Sequence, residues 1–237
     1  INPVDQETLA NPDNNLRYQL DLSQRVSEHD DNLLLQCESL VVATGALSIP
    51  SLGGSGMGYD IARQFSLPLT ERRAGLVPFM FSDDFKTVCE RLSGLSVDVV
   101  VSCNAQQFSE SLLFTHRGIS GPAILQISNY WMPGDEICIK LLPEMDVPEW
   151  LLNAKHQGAK SLLKTLLNQK LPKALVAELQ ALWWPQSAET PVAEFSDKQL
   201  VAIGEQINHW CLKPSATEGY RTAEVTLGGV DTDGLSS

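Results

Sequence analysis

The sequence predicts a mixed α/β fold in which strands come first and short helices follow, and three observations carry that reading. Leu40-Val-Val-Ala-Thr-Gly45 is a short apolar run ending in small residues, as a buried parallel strand does where it leads into a ligand-binding turn. Between Leu76 and Leu142 the pattern is strand-like, with turn residues between the runs, as in a small barrel or sandwich. Beyond Pro148 the apolar spacing lengthens to three and four residues, the period of amphipathic helices.

Taken in order, Arg17 to Leu22 alternates polar and apolar residues like a half-buried strand, and Asp30-Asp-Asn32 reads as a turn. Leu33 to Val42 then forms one or two strands, so that a hairpin feeds the run ending at Gly45, where the missing Cβ lets backbone approach a ligand. Ser48 to Gly58 is a loop crowded with glycines, and Tyr59 to Phe65 is a short helix. The glycine spacing there is G-G-x-G-x-G, which is not the dinucleotide G-x-G-x-x-G. Val97–Cys103, Ser111–Thr115 and Glu136–Leu141 are the clearest strands, separated by turn chemistry at Ser93-Gly94 and Pro133-Gly134-Asp135.

Helical periodicity follows in Leu162, Leu163, Leu166 and Leu167, and again after Pro172 in Leu175, Val176, Leu179 and Leu182. Ser196-Asp-Lys-Gln199 fits a capping box, with Leu200, Ile203, Ile207 and Trp210 on one face. Residues from Val147 to Leu212 are therefore expected to form a helical part separate from the strands, with Trp183, Trp184 and Trp210 in its core. Thr222 to Val230 is a closing strand that ends in Gly228-Gly229, a second place where backbone could lie against a flat ligand.

The 237 residues, 43% of them hydrophobic, suffice for one large or two smaller domains. A net charge of −12 argues against a nucleic-acid partner, since phosphate binding needs a basic face, and gives no reason to expect a membrane surface. No apolar stretch is long enough to span one. Cys37, Cys89, Cys103, Cys138 and Cys211 are scattered without a C-x-x-C. Free thiols in a reducing cytoplasm are expected rather than disulfides or a metal site. The absence of an initiator Met and the end just after an apolar stretch read as an internal piece of a longer protein.

Residues that carry their own chemistry are scarce. His29, His156 and His209 pair with nothing at metal-ligand spacing, no nucleophile elbow is present, and no catalytic residue is assigned. His116-Arg117-Gly-Ile-Ser-Gly-Pro122 either grips an anionic substrate through its planar arginine fork or is an ordered loop capping the next segment. Glu218-Gly-Tyr-Arg-Thr222 is likewise a functional loop or a surface turn. An enzyme built this way would rely on a cofactor as its reagent.

Four segments together resemble a known family: Leu40 to Pro50, Gly56 to Ala62, Leu113 to Ser128 and Gly219 to Thr232. In order and spacing they are similar to the bacterial NAD(P)/FAD-dependent flavoproteins of the HI0933-like or BaiN-like family, over nearly the whole chain from about Leu40. The resemblance implies part of a Rossmann-type FAD domain (1–72), a β-barrel-like insert (73–146), a small helical insert (147–212), and a return strand (213–237). It implies FAD beside Ala43, Thr44 and Gly45, beside Ala46 where the family usually has Gly, and beside Gly228 and Gly229. The two glycine turns are therefore expected near one another. His116, Arg117 and Arg221 fall on the substrate side.

The activity so implied is an oxidoreductase that passes hydride from NAD(P)H through FAD to a small unsaturated organic acceptor, in the cytoplasm. The alternative is a non-catalytic binding or assembly module derived from the insert. The Leu40–Gly45 run speaks for the first, because a pure insert has no use for a cofactor-domain strand. Both the family's opening G-x-G-x-x-G and its glycine-rich finish are missing, so this chain alone is expected to be inactive and to bind FAD weakly.

Overall fold

A computed structural model describes residues 2–3, 16–26 and 29–235. They divide into two compact units, one formed by Ile1–Arg72 with Gly228–Ser237 and the other by Arg73–Leu227. Both α and β structure are present throughout, as a mixed α+β chain.

The first unit contains the strands β1 (Asn2–Pro3), β2 (Tyr18–Val26) and β3 (His29–Cys37), ordered β1-β2-β3 with antiparallel neighbours. Asp30-Asp-Asn32 is not a turn but part of β3, where it pairs with Arg25, Gln24 and Ser23. The following residues Leu33, Leu34 and Leu35 are exposed, and backbone pairing, not side-chain polarity, decides that 30–32 continue the strand.

The run Leu40 to Gly45 forms no strand among the described residues. Val41 is 86% exposed. A strand exists only through backbone partners, and none lies beside this run among the described residues. Helix α1 (Met57–Gln64) starts two residues before the expected Tyr59, behind Gly56 as its N-cap.

The second unit contains β4 (Arg73–Gly75), β5 (Phe79–Met80), α2 (Asp84–Arg91), β6 (Ser96–Cys103), β7 (Gln106–Thr115), β8 (Gly118–Ser120), α3 (Pro122–Ser128) and β9 (Ile137–Lys140). The helices α4 (Val147–His156), α5 (Leu163–Leu167), α6 (Lys173–Trp183) and α7 (Asp197–Asn208) follow, and β10 (Trp210–Leu212), β11 (Ala216–Thr217) and β12 (Val225–Leu227) complete it. Seven strands form one antiparallel sheet in the order β10-β9-β6-β7-β8-β5-β11, while β4 and β12 make a separate antiparallel ribbon.

Alternation builds the sheet's buried face. Val97, Val99, Val101 and Cys103 of β6, Leu112 and Phe114 of β7, and Ile137 and Ile139 of β9 point inward. Each fully buried aliphatic side chain contributes about 1.5–3 kcal/mol. Helices α2 and α3 lie within the stretch from Leu76 to Leu142 that the sequence pattern reads as strand-like, and they pack on its strands. The inner faces of α4 to α7, including Leu151, Leu163, Leu175 and Leu200, join the same core.

The helical signals are realised where the period was clear. Ser196 Oγ accepts from Gln199 N–H and the Gln199 side chain accepts from Ser196 N–H, a complete capping box. Trp210 departs from expectation: it lies on β10 rather than on the helix. It is still buried, and its ring meets Trp183 edge-on at 5.5 Å. Cys138 and Cys211 are joined in a disulfide, contrary to the expected free thiols. They are register partners on β9 and β10, a juxtaposition that a sequence separation of 73 hides.

Polar groups at the end of α3 secure the start of this unit. Val77 N–H donates to Ser128 Oγ at 3.0 Å, Leu76 N–H donates to Asn129 Oδ1 at 2.9 Å, and Arg73 donates to the carbonyls of Asn129 and Trp131. Among the described residues no helix is long and apolar enough to cross a membrane.

Candidate functional site

The first unit contains a cavity of about 630 Å³, within the range of small-molecule and cofactor pockets. One wall is the irregular stretch through Leu40, Val42, Ala43, Thr44 and Gly45, and another is α1 with Gly58, Tyr59 and Ala62. Tyr18, Phe65, Leu67 and Val230 close it. The walls are mainly apolar, and three aromatic rings are held in place: Tyr18 meets Phe65 edge-on at 6.3 Å, and the Arg72 guanidinium sits 5.0 Å from the Tyr59 ring centroid.

The backbone positions Ala43 to Gly45 closely. A Cβ on Gly58 would stand 2.7 Å from Thr44 Oγ1, so the first turn of α1 packs against this stretch only because residue 58 is Gly. Gly45 has φ +71° and open space where its Cβ would be, leaving its backbone face free for a flat group.

Gly228 and Gly229 belong to a segment laid along 68–71. Thr70 N–H donates to the Gly229 carbonyl at 2.8 Å, Gly229 N–H donates to Thr70 Oγ1 at 3.0 Å, and Leu69 bridges Val230. Val230, next in the chain, reaches the cavity. The cavity thus draws on Ala43, Thr44 and Gly45 and on the residue that follows the second glycine turn. Ala46, Gly228 and Gly229 do not line it.

The residues expected on the substrate side sit on the second unit. His116 and Arg117 form the exposed turn between β7 and β8, and Arg221 lies on the exposed 3-10 turn Gly219–Arg221. Sheet order brings Glu218 beside the His116-Arg117 turn, because β5 pairs with both β8 and β11. Arg117 Nη1 lies 3.7 Å from Glu218, a largely buried carboxylate. The arginine is therefore oriented by an ion pair rather than offered alone.

A further feature was legible in the sequence but hidden by the total charge. Residues 155–173 hold Lys155, Lys160, Lys164, Lys170 and Lys173 with no Asp or Glu. Lys155 pairs with Asp197 and Lys164 with Glu189. Lys160, Lys170 and Lys173 are exposed, and among the described residues they enter no ion pair.

Comparison with known proteins bears directly on these features. Residues 73–225 match the family model described as the HI0933-like protein barrel and H2TH domain. The chain is 47% identical over 207 residues to a ribosomal RNA dihydrouridine synthase of Haemophilus influenzae, covering 85% of this chain and 50% of that protein. It is 45% identical over 208 residues to a ribosomal RNA dihydrouridine synthase of Escherichia coli, covering 87% of this chain and 52% of that protein. The chain spans about half the length of the curated relatives it matches.

These relatives overturn part of the sequence reading. Both are named for making dihydrouridine in ribosomal RNA, so a reductase of a small organic acceptor, with its oxidoreductase and NAD(P)H labels, is not what they point to. The exclusion of nucleic acid and the choice of a small-molecule substrate fall with it. The physical error was to treat net charge as if it were evenly spread: a chain of charge −12 still carries an acid-free lysine segment, and phosphate is bound locally. With its barrel and helices matched over 73–225, the chain belongs to the HI0933-like family.

Proposed function

We propose that this chain forms part of a ribosomal RNA dihydrouridine synthase. The observation that carries the reading is the 45–47% identity to two proteins of that name over 85–87% of this chain. The activity belongs to the whole protein, of which this chain supplies the barrel, the helices and one side of a cofactor site.

Dihydrouridine is uridine whose uracil C5=C6 bond has been saturated by two hydrogens. No side chain is a hydride donor, so the chemistry calls for a redox cofactor. FAD is the group we place here, and a bound reduced flavin would supply the hydride. The fit rests on the cavity: its apolar walls, the aromatic rings of Tyr18, Tyr59 and Phe65, and the open backbone at Gly45 suit a flat ring. They do not provide the strand-glycine-helix unit that takes a pyrophosphate. Ala43, Thr44 and Gly45 would flank the cofactor, with Ala46 and Gly228-Gly229 holding the surrounding turns. Residues 1–72 belong in this reading to a Rossmann-type FAD domain, with 73–146 and 147–212 as its β-rich and helical inserts and 213–237 as the return. The exposed Val41 and Val42 are surface that further strands of such a domain would cover.

The second unit handles the RNA. Lys160, Lys170 and Lys173 meet phosphates, while His116, Arg117 and Arg221 are donors for the nucleotide near the target. A uracil inside a duplex is shielded by stacking, so the target uridine must be unstacked or already single-stranded. A cytoplasmic location follows, where ribosomal RNA is found.

The test uses purified full-length protein, reduced flavin and ribosomal RNA that lacks the modification, with mass spectrometry of the digested nucleosides. The expected product is dihydrouridine in ribosomal RNA. Unchanged RNA after incubation with folded, flavin-loaded protein would overturn the proposal.

A further inference from the structure

Cys138, His209 and Cys211 stand together on the outer face of the second unit, and each offers a ligand atom within 4.8 Å of the other two. The fold sets this up in two steps. Antiparallel pairing of β9 with β10 places Cys138 opposite Cys211, with Cα atoms 4.0 Å apart. His209, the C-cap residue of α7, lies two residues before Cys211, where the chain enters β10. The neighbours Ile137, Ile139 and Trp210 point into the core, so the three ligands point away from it, and none of them is buried.

The geometry assigns to Cys138, His209 and Cys211 a redox-gated site for a thiophilic divalent cation of the zinc class. The inference goes beyond RNA modification and rests on the cytoplasmic location of the reading above. In a reducing compartment a cysteine pair of this kind is held mainly as dithiol, and paired cysteines there more often bind metal or act in redox chemistry than serve as permanent cross-links. Zinc takes thiolate sulfur at about 2.3 Å and imidazole nitrogen at about 2.0 Å. Two ligands of one ion are then at most about 4.6 Å apart, so donors within 4.8 Å need little more than rotation about their own χ angles. The set is Cys2His, with a fourth position left to water or an added ligand.

The chemistry balances. Binding consumes the ion and two thiols and releases two protons, with His209 neutral. Oxidation by a low-molecular-weight disulfide joins the two sulfurs, transfers two electrons to the oxidant, which becomes two thiols on taking up two protons, and releases the ion. The disulfide seen here is the closed, metal-free form of the same site. The two buried thiols, Cys89 and Cys103, are unsuited to such a role: burial pushes the Cys89 thiol up to about 12 and raises that of Cys103.

Full-length protein is reduced with a phosphine, exposed to zinc alone, desalted, and assayed for zinc by elemental mass spectrometry. Equimolar zinc is expected in the reduced protein and none after treatment with oxidised glutathione. Cobalt(II) in its place should show thiolate-to-metal charge-transfer absorption. Cys211→Ser and His209→Ala should each weaken zinc at least about tenfold, since even residues that merely support a ligand contribute that much. Far-UV circular dichroism checks that both variants are folded. Reduced, folded protein that retains no zinc overturns the inference, as does equal retention by Cys211→Ser. Neither result bears on dihydrouridine formation, which is measured separately on RNA.

Discussion

Gly228 shows how much a single residue can decide. Its φ is +78°, and a Cβ there would lie 1.9 Å from the Glu71 carbonyl oxygen. No rotamer relieves a clash between backbone atoms, so the segment 228–231 would have to leave the irregular stretch 68–71 along which it lies. Gly228→Ala is expected to cost about 1–3 kcal/mol, read as a lowered denaturation midpoint. Thr70→Ala, which loses hydrogen bonds to Gly229 without moving the backbone, should cost less. This glycine was legible in the sequence only as the end of an apolar strand; the reason for it, the Glu71 carbonyl, comes from a segment more than 150 residues earlier. The same holds for Ser128 and Asn129, whose side chains satisfy Val77 and Leu76 N–H groups and which no motif announces.

At the level of elements, what could be read followed from periodicity. The capping box at Ser196 and the leucine stripes of α5 and α6 are local patterns, and local hydrogen bonding makes them helices wherever they occur. Ser196→Ala removes the acceptor for Gln199 N–H and is expected to cost about 1 kcal/mol, checked by thermal unfolding followed by circular dichroism. Restoring the cap with Asp at 196 should recover most of it. Leu40–Gly45 failed for the opposite reason. A six-residue apolar run has no period of its own, and whether it becomes a strand depends on partners that the run does not encode. Cys138 and Cys211 show the same limit across strands: each looks isolated in sequence, and only the β9–β10 register pairs them.

For the whole molecule, the misreading was one of summation. A charge of −12 described the chain correctly and described residues 155–173 not at all. If Lys160, Lys170 and Lys173 bind phosphates, changing all three to Gln should weaken ribosomal RNA binding and flatten its salt dependence. The slope of log K against log salt should fall by about 2–3, near 0.7–0.9 for each lost contact. Filter binding of full-length protein across a salt series measures this. The candidate cofactor site was legible to a similar, partial degree. Ala43, Thr44 and Gly45 do line the cavity, whereas Tyr18, Phe65 and Val230 came to it through folding.

The central claim is that the protein containing this chain makes dihydrouridine in ribosomal RNA, and the most direct measurement is made on cells. Ribosomal and transfer RNA are isolated separately from cells lacking the full-length gene and from the same cells with the gene restored, and their nucleosides are weighed by mass spectrometry. The expected result is a ribosomal RNA dihydrouridine that disappears with the gene and returns with it, while transfer RNA is unchanged. Ribosomal RNA with the same dihydrouridine content in both, despite full expression of the folded protein, would contradict it.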